Sequence, residues 1–209
     1  MGRVEPPSSD TATRILDVAE RLVEVRGFNG FSYADVSSEM KITKAALHYH
    51  FANKADLGVA LIVRYTSRFE DALHAVETRT TDAPERLKAY ADLYLDVLNN
   101  KRMCLCGMMA AEHETLPEPM QEAVVEFFSR NQVWLSRVLK DGKAKGTISF
   151  HESANKTART IIGTLEGAML LARLFGDVAG FRSATTHLLT GLLADPATSA
   201  TAKRQVSVR

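Results

Sequence analysis

Apolar residues recur three and four positions apart along almost the whole chain, and runs of alternating β-branched residues are absent. That spacing puts apolar side chains on one face of a helix and predicts an all-α fold of about nine helices. Ile15, Val18, Ala19, Leu22 and Val25 form the stripe of a first helix, which Gly27 ends. Ser32 is placed to cap a short second helix over 33–40, with Asp35 in its first turn. Thr43 is placed to cap a third helix over 44–50, and Asn53 a fourth. Leu57, Leu61, Tyr65, Phe69 and Leu73 carry that fourth helix to about residue 77. After the break "TRTTDAP" come a helix from Glu85 through Leu98, a short one over 105–114, and a long one started by Pro117 and Pro119. The stretch "DGKAKGTISFHES" reads as a loop. Ser153 then caps an eighth helix that ends at Gly176, and a ninth covers about 182–194.

The second and third helices are joined by the turn "MKIT", and three short helices in this order make a helix-turn-helix. The third helix would then enter a DNA major groove. The residues of "KITKAALHYHFANKADL" suit that task. Thr43 and the first backbone N–H groups favour a phosphate oxygen. Lys44 can reach a phosphate or a guanine edge, and the small Ala45 and Ala46 let the helix close on the bases. His48 and Tyr49 can donate to phosphates, and Lys54 starts the next helix as a further cation. Leu47 and Phe51 are expected in the core.

Charge narrows this picture. The 209 residues carry a formal charge of +1, so the chain has no global basic character. Residues 1–58 hold seven Lys or Arg against eight Asp or Glu. Affinity from phosphate neutralisation must come from one small face, and two copies are needed for useful binding. The N-terminus lacks the apolar run of a signal peptide and no 18-residue apolar stretch occurs, so a cytoplasmic, non-membrane protein is expected. No Gly-rich phosphate loop, nucleophile elbow or acid/base pair is present, so neither an enzyme nor a cofactor is expected. The imidazoles of "HYH" lie two residues apart and point away from each other on a helix.

The stretch "GFNGFSYADVSSEMKITKAALHYHFANKADL" resembles the DNA-binding domain of the TetR family of transcriptional regulators. The resemblance lies in the Gly-Phe after the first helix, the short second helix, "ITKAALHYHF" and "NKADL". It implies a homodimer that binds a palindromic operator on double-stranded DNA and is released by a small-molecule inducer. Carried over by position, the DNA contacts are Ser32, Tyr33, Thr43, Lys44, Ala45, His48, Tyr49 and Lys54. The family commonly has Tyr where His48 stands and Pro where Ala52 stands. The division that follows is a disordered arm over 1–10, a helix-turn-helix domain over 11–56, a ligand-binding and dimerisation domain over 57–194, and a disordered tail over 195–209.

The C-terminal region adds further candidates. Tyr90, Tyr94, Met108, Phe127, Phe128, Trp134 and Met169 can line a largely apolar inducer pocket, with Glu166 as a polar group in an otherwise apolar run. Gly163, Gly167 and Ala168 in the eighth helix, with Ala184 and Gly191 in the ninth, permit the close packing of a bundle between subunits. Cys104 and Cys106, the only cysteines, stand at the start of a short helix beside Arg102 and could act as thiols sensing electrophiles or oxidants. With His113 they make no standard metal-ligand spacing, so no metal site is expected. The rival to regulation is a helical interaction module that kept the fold without binding DNA.

Overall fold

A computed structural model of the chain describes residues 9–194. Among them are nine α-helices: α1 (Ser9–Arg26), α2 (Tyr33–Met40), α3 (Lys44–His50), α4 (Lys54–Arg79), α5 (Ala83–Asn99), α6 (Leu105–Ala111), α7 (Glu118–Ala144), α8 (Ala154–Phe175) and α9 (Val178–Thr190). One 3₁₀ turn, His113–Thr115, follows α6. The predicted all-α fold is the observed one, with a single isolated antiparallel bridge between Ile148 and Leu193 among the described residues. The expected arm over 1–10 and tail over 195–209 fall outside the described residues apart from Ser9 and Asp10, which are the first two residues of α1.

Local capping sets the helix starts. The Asp35 carboxylate accepts from the Ser32 backbone N–H at 2.7 Å and from its hydroxyl at 2.6 Å. Thr43 Oγ1 accepts from the Ala46 N–H at 3.1 Å, and Asn53 Oδ1 from the Asp56 N–H at 2.9 Å. Ser153 Oγ accepts from the Lys156 N–H at 3.3 Å. The bonds from Ala46, Asp56 and Lys156 satisfy donors that the first helical turn otherwise leaves without a partner, and those from Ser32 tie the N-cap back to the first turn.

Three elements differ from expectation. The long helix α7 continues through Gly142 to Ala144, where a loop was expected from Asp141 onward. A Cβ at Gly142 would stand 2.7 Å from both Ala83 Cβ and Ile148 Cδ1, so the helix uses the glycine for close packing. Helix α6 stops at Ala111, and the expected stretch to residue 114 breaks into the 3₁₀ turn at Glu112. The last helix runs Val178–Thr190, four residues earlier than the expected 182–194. Gly176 takes the left-handed conformation and the Asp177 N–H returns to Ala172 O at 2.9 Å, so the chain reverses at once and α9 starts immediately.

The chain forms two compact units, each assembled from two separate segments. Among the described residues, the first comprises those up to Phe69 together with Arg102–Phe127. In it α1 packs on α2 and α6, and α2 packs on α3, around Ile15, Ala19, Leu22, Val36, Leu47, Leu57 and Leu61. The second comprises Glu70–Lys101 and the described residues from Phe128 onward; there α8 packs on α9 and both pack on α5. Tyr90, Leu135, Val138, Leu165 and Phe181 are buried in its core.

The acids of α1 are held inside the first unit. Arg64 binds Asp17 at 2.7 Å and Glu20 at 2.8 Å, Arg68 also pairs with Glu20, and Arg102 reaches Glu24 at 3.2 Å. Burial, and then the neighbouring Glu20, push the Glu24 carboxyl up to about 7 from 4.5, against the pull of Arg102. Between these values the folded chain keeps a proton that the unfolded chain has released, so stability falls as pH rises from about 4.5 through about 7. Thermal unfolding should show a decline across that window, equivalent to as much as ~3 kcal/mol at most. In Glu24→Gln the decline should shrink, and an identical pH profile for the two proteins would contradict the assignment.

Candidate nucleic-acid interface

Helix α3 is built as an exposed blade on a buried anchor. Leu47 is 0% exposed, which fixes the helix against the core of the first unit. Lys44, Ala45, His48 and Tyr49 are exposed, and Tyr49 is 74% exposed. At 100° per residue these four side chains occupy one contiguous face, turned away from Leu47. An exposed aromatic ring beside a cation, with a small residue between them, can meet phosphate and base edges together. Among the described residues neither Lys41 nor Lys44 enters an ion pair, whereas Glu39 and Asp35 are paired with Arg21 and Arg26. The local charge of α3 is therefore positive although the domain as a whole is not.

Ser32, Tyr33 and, on the exposed face itself, His48 also make contacts within the protein. The Ser32 hydroxyl donates to Asp35, so its oxygen is left as an acceptor. The Tyr33 hydroxyl donates toward Phe51 O at 3.0 Å and Asn53 O at 2.6 Å, bracing the link between α3 and α4. Burial, with Asp56 nearby, pushes that phenol up to about 12, so it stays a donor. His48 packs at a tilt against Tyr33, with centroids 4.8 Å and planes 56° apart, and gives its Nδ1–H to Ala52 O at 2.9 Å. Only a protonated His48 ring could offer a second N–H to a phosphate.

Lys54 is turned inward, contrary to its reading as a surface cation. Its ammonium donates to Phe28 O at 2.5 Å and lies 4.4 Å from the centroids of both Phe28 and Phe31. Burial lowers its pKa, with Glu112 and Asp35 opposing. Phe51, expected in the core, is only half-buried.

Glu112 was not singled out in the sequence, where it is one of 25 acids. In the structure its carboxylate accepts from the backbone N–H groups of Phe28 at 2.8 Å and Asn29 at 3.1 Å. No local signal marks it, because its partners lie 84 and 83 residues away.

The candidate ligand residues fall in both units. In the second, Tyr90 stacks on Trp134 with centroids 5.7 Å apart, and the Tyr90 and Tyr94 hydroxyls are 3.2 Å apart. Trp134 is 7% exposed, and its Nε1–H has no hydrogen-bond partner among the described residues. Met169 is buried, while Phe128 and Glu166 are half-buried. In the first unit Phe127 is buried against Tyr65 and Phe69, with centroids 5.6 and 5.4 Å away, and Met108 is half-buried on α6.

Cys104 and Cys106 are 2% and 0% exposed and form no disulfide. Cys104 Sγ accepts from the Gly107 N–H at 3.3 Å, and Arg102, expected to lend them positive charge, is paired with Glu24. A thiol that reacts with solutes needs access and a neighbouring cation. Both cysteines lack the first, and Arg102 is committed elsewhere. No group of three or more metal-ligating side chains occurs among the described residues, and no helix there is long and apolar enough to cross a membrane.

Helix α8 leaves a large apolar face open. Leu170, Leu171, Leu174 and Phe175 are all more than half exposed, the last two at 73%. Gly163 and Gly167 continue the same stripe, with no side chain over either. A groove of about 460 Å³ runs between α8 and α9 past Gly167, Leu171, Phe175 and Ala184.

Comparison with known proteins places the two regions in one context. Residues 15–61 match the family model for bacterial regulatory proteins of the tetR family, and residues 83–188 match the tetracyclin repressor-like C-terminal domain. A transcriptional regulator of the TetR family from Agrobacterium tumefaciens is 33% identical, with a TM-score of 0.86 over 88% of this chain and 98% of that one. A TetR transcriptional regulator from Legionella pneumophila is 31% identical, with a TM-score of 0.80 over 90% of this chain and all of that one. The HTH-type transcriptional repressor NemR of Escherichia coli is 24% identical over 90% of this chain and 96% of its own length.

Proposed function

Because the chain belongs to the TetR family of DNA-binding transcriptional regulators, we propose that it is a ligand-responsive repressor. On this reading it binds a palindromic operator as a homodimer through the exposed face of α3 and acts in the cytoplasm by binding rather than catalysis. The observation that carries this reading is the placement of Lys44, Ala45, His48 and Tyr49 together in solvent on a helix anchored by Leu47. Thr43 contributes its position at the helix start.

The dimer is supported by the open stripe on α8. Contiguous apolar patches of this kind mark interaction surfaces, and the glycines allow a second copy of α8 to approach closely. Two copies of α3 related by a two-fold axis then meet two half-sites.

Inducer binding is supported by the buried aromatic set of the second unit. A buried indole N–H without a partner costs about 1–3 kcal/mol, and an acceptor on a bound molecule would remove that cost. The inducer is therefore read as a largely apolar molecule carrying a hydrogen-bond acceptor. It acts by favouring a protein state whose recognition helices no longer fit the operator, for which a coupling of about 1–3 kcal/mol suffices.

A gel shift with the promoter fragments that flank its own gene tests the reading. The account expects a shift at 50 mM salt that weakens steeply by 200 mM. Absence of a shift on every flanking fragment would favour the interaction-module alternative.

A further inference from the structure

The backbone of Phe28 is gripped from two sides by charged groups from different elements. On one side, one oxygen of Glu112, at the break between α6 and the 3₁₀ turn, takes the N–H groups of Phe28 and Asn29. Asn29 Nδ2 also donates to Thr115 Oγ1 at 2.7 Å, so the turn after α1 is stitched to residues 112–115 by three hydrogen bonds. On the other side, the Lys54 ammonium takes the Phe28 carbonyl and is held between the Phe28 and Phe31 rings.

Gly27 makes the first grip geometrically possible. Its φ of +82° closes α1 with a left-handed residue, and a Cβ there would collide with the Glu112 carboxylate. Lys54 is the first residue of α4, and only residues 51–53 separate it from α3. That short link is itself held at Phe51 O and Asn53 O by the Tyr33 hydroxyl. A continuous series of hydrogen bonds thus runs from the end of α6, through one peptide unit, to the frame of the recognition helix. Its Glu112 and Lys54 bonds are charge-assisted, the class of hydrogen bond that is stronger and more directional than a neutral pair.

We propose that Glu112 and Lys54 are positioning residues that fix the orientation of α3 by clamping the Phe28 peptide, and that neither touches DNA. The clamp rests on the reading of α3 as the DNA-binding element and extends it to what sets that element's angle. An ammonium with its donors turned inward contributes little to phosphate neutralisation. A helix whose angle is loose still meets phosphates but no longer demands one separation of half-sites.

The test uses full-length protein and the palindrome that the wild type enriches from random-sequence DNA, with a second duplex carrying one extra central base pair. Glu112→Ala and Lys54→Met should stay dimeric by sedimentation and bind the palindrome on the order of tenfold more weakly. Their preference for the original spacing over the lengthened one should fall, while the slope of log affinity against log salt stays at the wild-type value. Glu112→Gln, which keeps an acceptor in place, should recover part of the spacing preference.

Two DNA results would overturn the proposal. One is an unchanged spacing preference in both variants. The other is a salt slope that drops by about two in Lys54→Met, the signature of a lost phosphate contact in each subunit. Amide exchange in the absence of DNA tests the clamp separately. Slow exchange at Phe28 and Asn29 in the wild type, lost selectively in Glu112→Ala and partly kept in Glu112→Gln, is expected, and fast exchange in the wild type would overturn the clamp. If the wild type enriches no DNA while those amides remain protected, the functional reading of α3 fails and the clamp does not.

Discussion

Replacing Leu171 and Leu174 by Glu should convert the protein to a monomer and lower operator affinity by about 10²–10⁴-fold, the usual gain from linking two sites. Both side chains are exposed on the protomer, so the change costs the fold little. In a symmetric pair of α8 helices the same change removes four leucines from the interface. At about 1.5–3 kcal/mol each, that is more than most dimer interfaces can lose, and four carboxylates brought together out of water add a further penalty. Sedimentation at micromolar concentration checks the first half and operator titration the second. A double variant that stays dimeric would place the subunit interface elsewhere.

The second large effect is expected at Lys44. Charge reversal in Lys44→Glu places an acid where a phosphate should lie, twice per dimer, and should weaken operator binding by about a hundredfold or more. The salt dependence should flatten by about two, because one counterion-releasing contact is lost from each half-site. Thermal stability should not change, since Lys44 enters no ion pair among the described residues. Lys44 and Lys54 are ten positions apart and read alike in the sequence, yet one should move the salt slope and the other should not. A loss of affinity in Lys44→Glu with an unchanged slope would remove the phosphate contact from the account.

That contrast shows what the sequence could and could not disclose. The boundaries of α2, α3 and α4 were legible because their caps are local: Ser32 with Asp35, Thr43 with Ala46 and Asn53 with Asp56 all lie three residues apart. The blade of α3 was legible because helical spacing alone puts 44, 45, 48 and 49 on one face and 47 opposite. The start of α9 was missed because it depends on the backbone reversal at Gly176, and the apolar positions 184, 188 and 192 continue a helical pattern past the real end at Thr190. The inward turn of Lys54 was hidden because it depends on Phe28, Phe31 and Glu112, which come from two distant segments. The acid count of the N-terminal region looked unfavourable for DNA for a similar reason. Asp17, Glu20 and Glu24 are matched by Arg64, Arg68 and Arg102, all of which lie beyond residue 58.

The central claim is that two α3 faces, held at a fixed separation by a dimer, read a two-fold symmetric site. The most direct measurement is selection of binding sequences by the full-length protein from a library of random duplexes, followed by sequencing of the enriched pool. The account predicts a palindrome whose half-sites lie about 10 base pairs apart centre to centre, or a multiple of that, with no such enrichment by Lys44→Glu. An enriched site without two-fold symmetry, or the same palindrome enriched by Lys44→Glu, would contradict it.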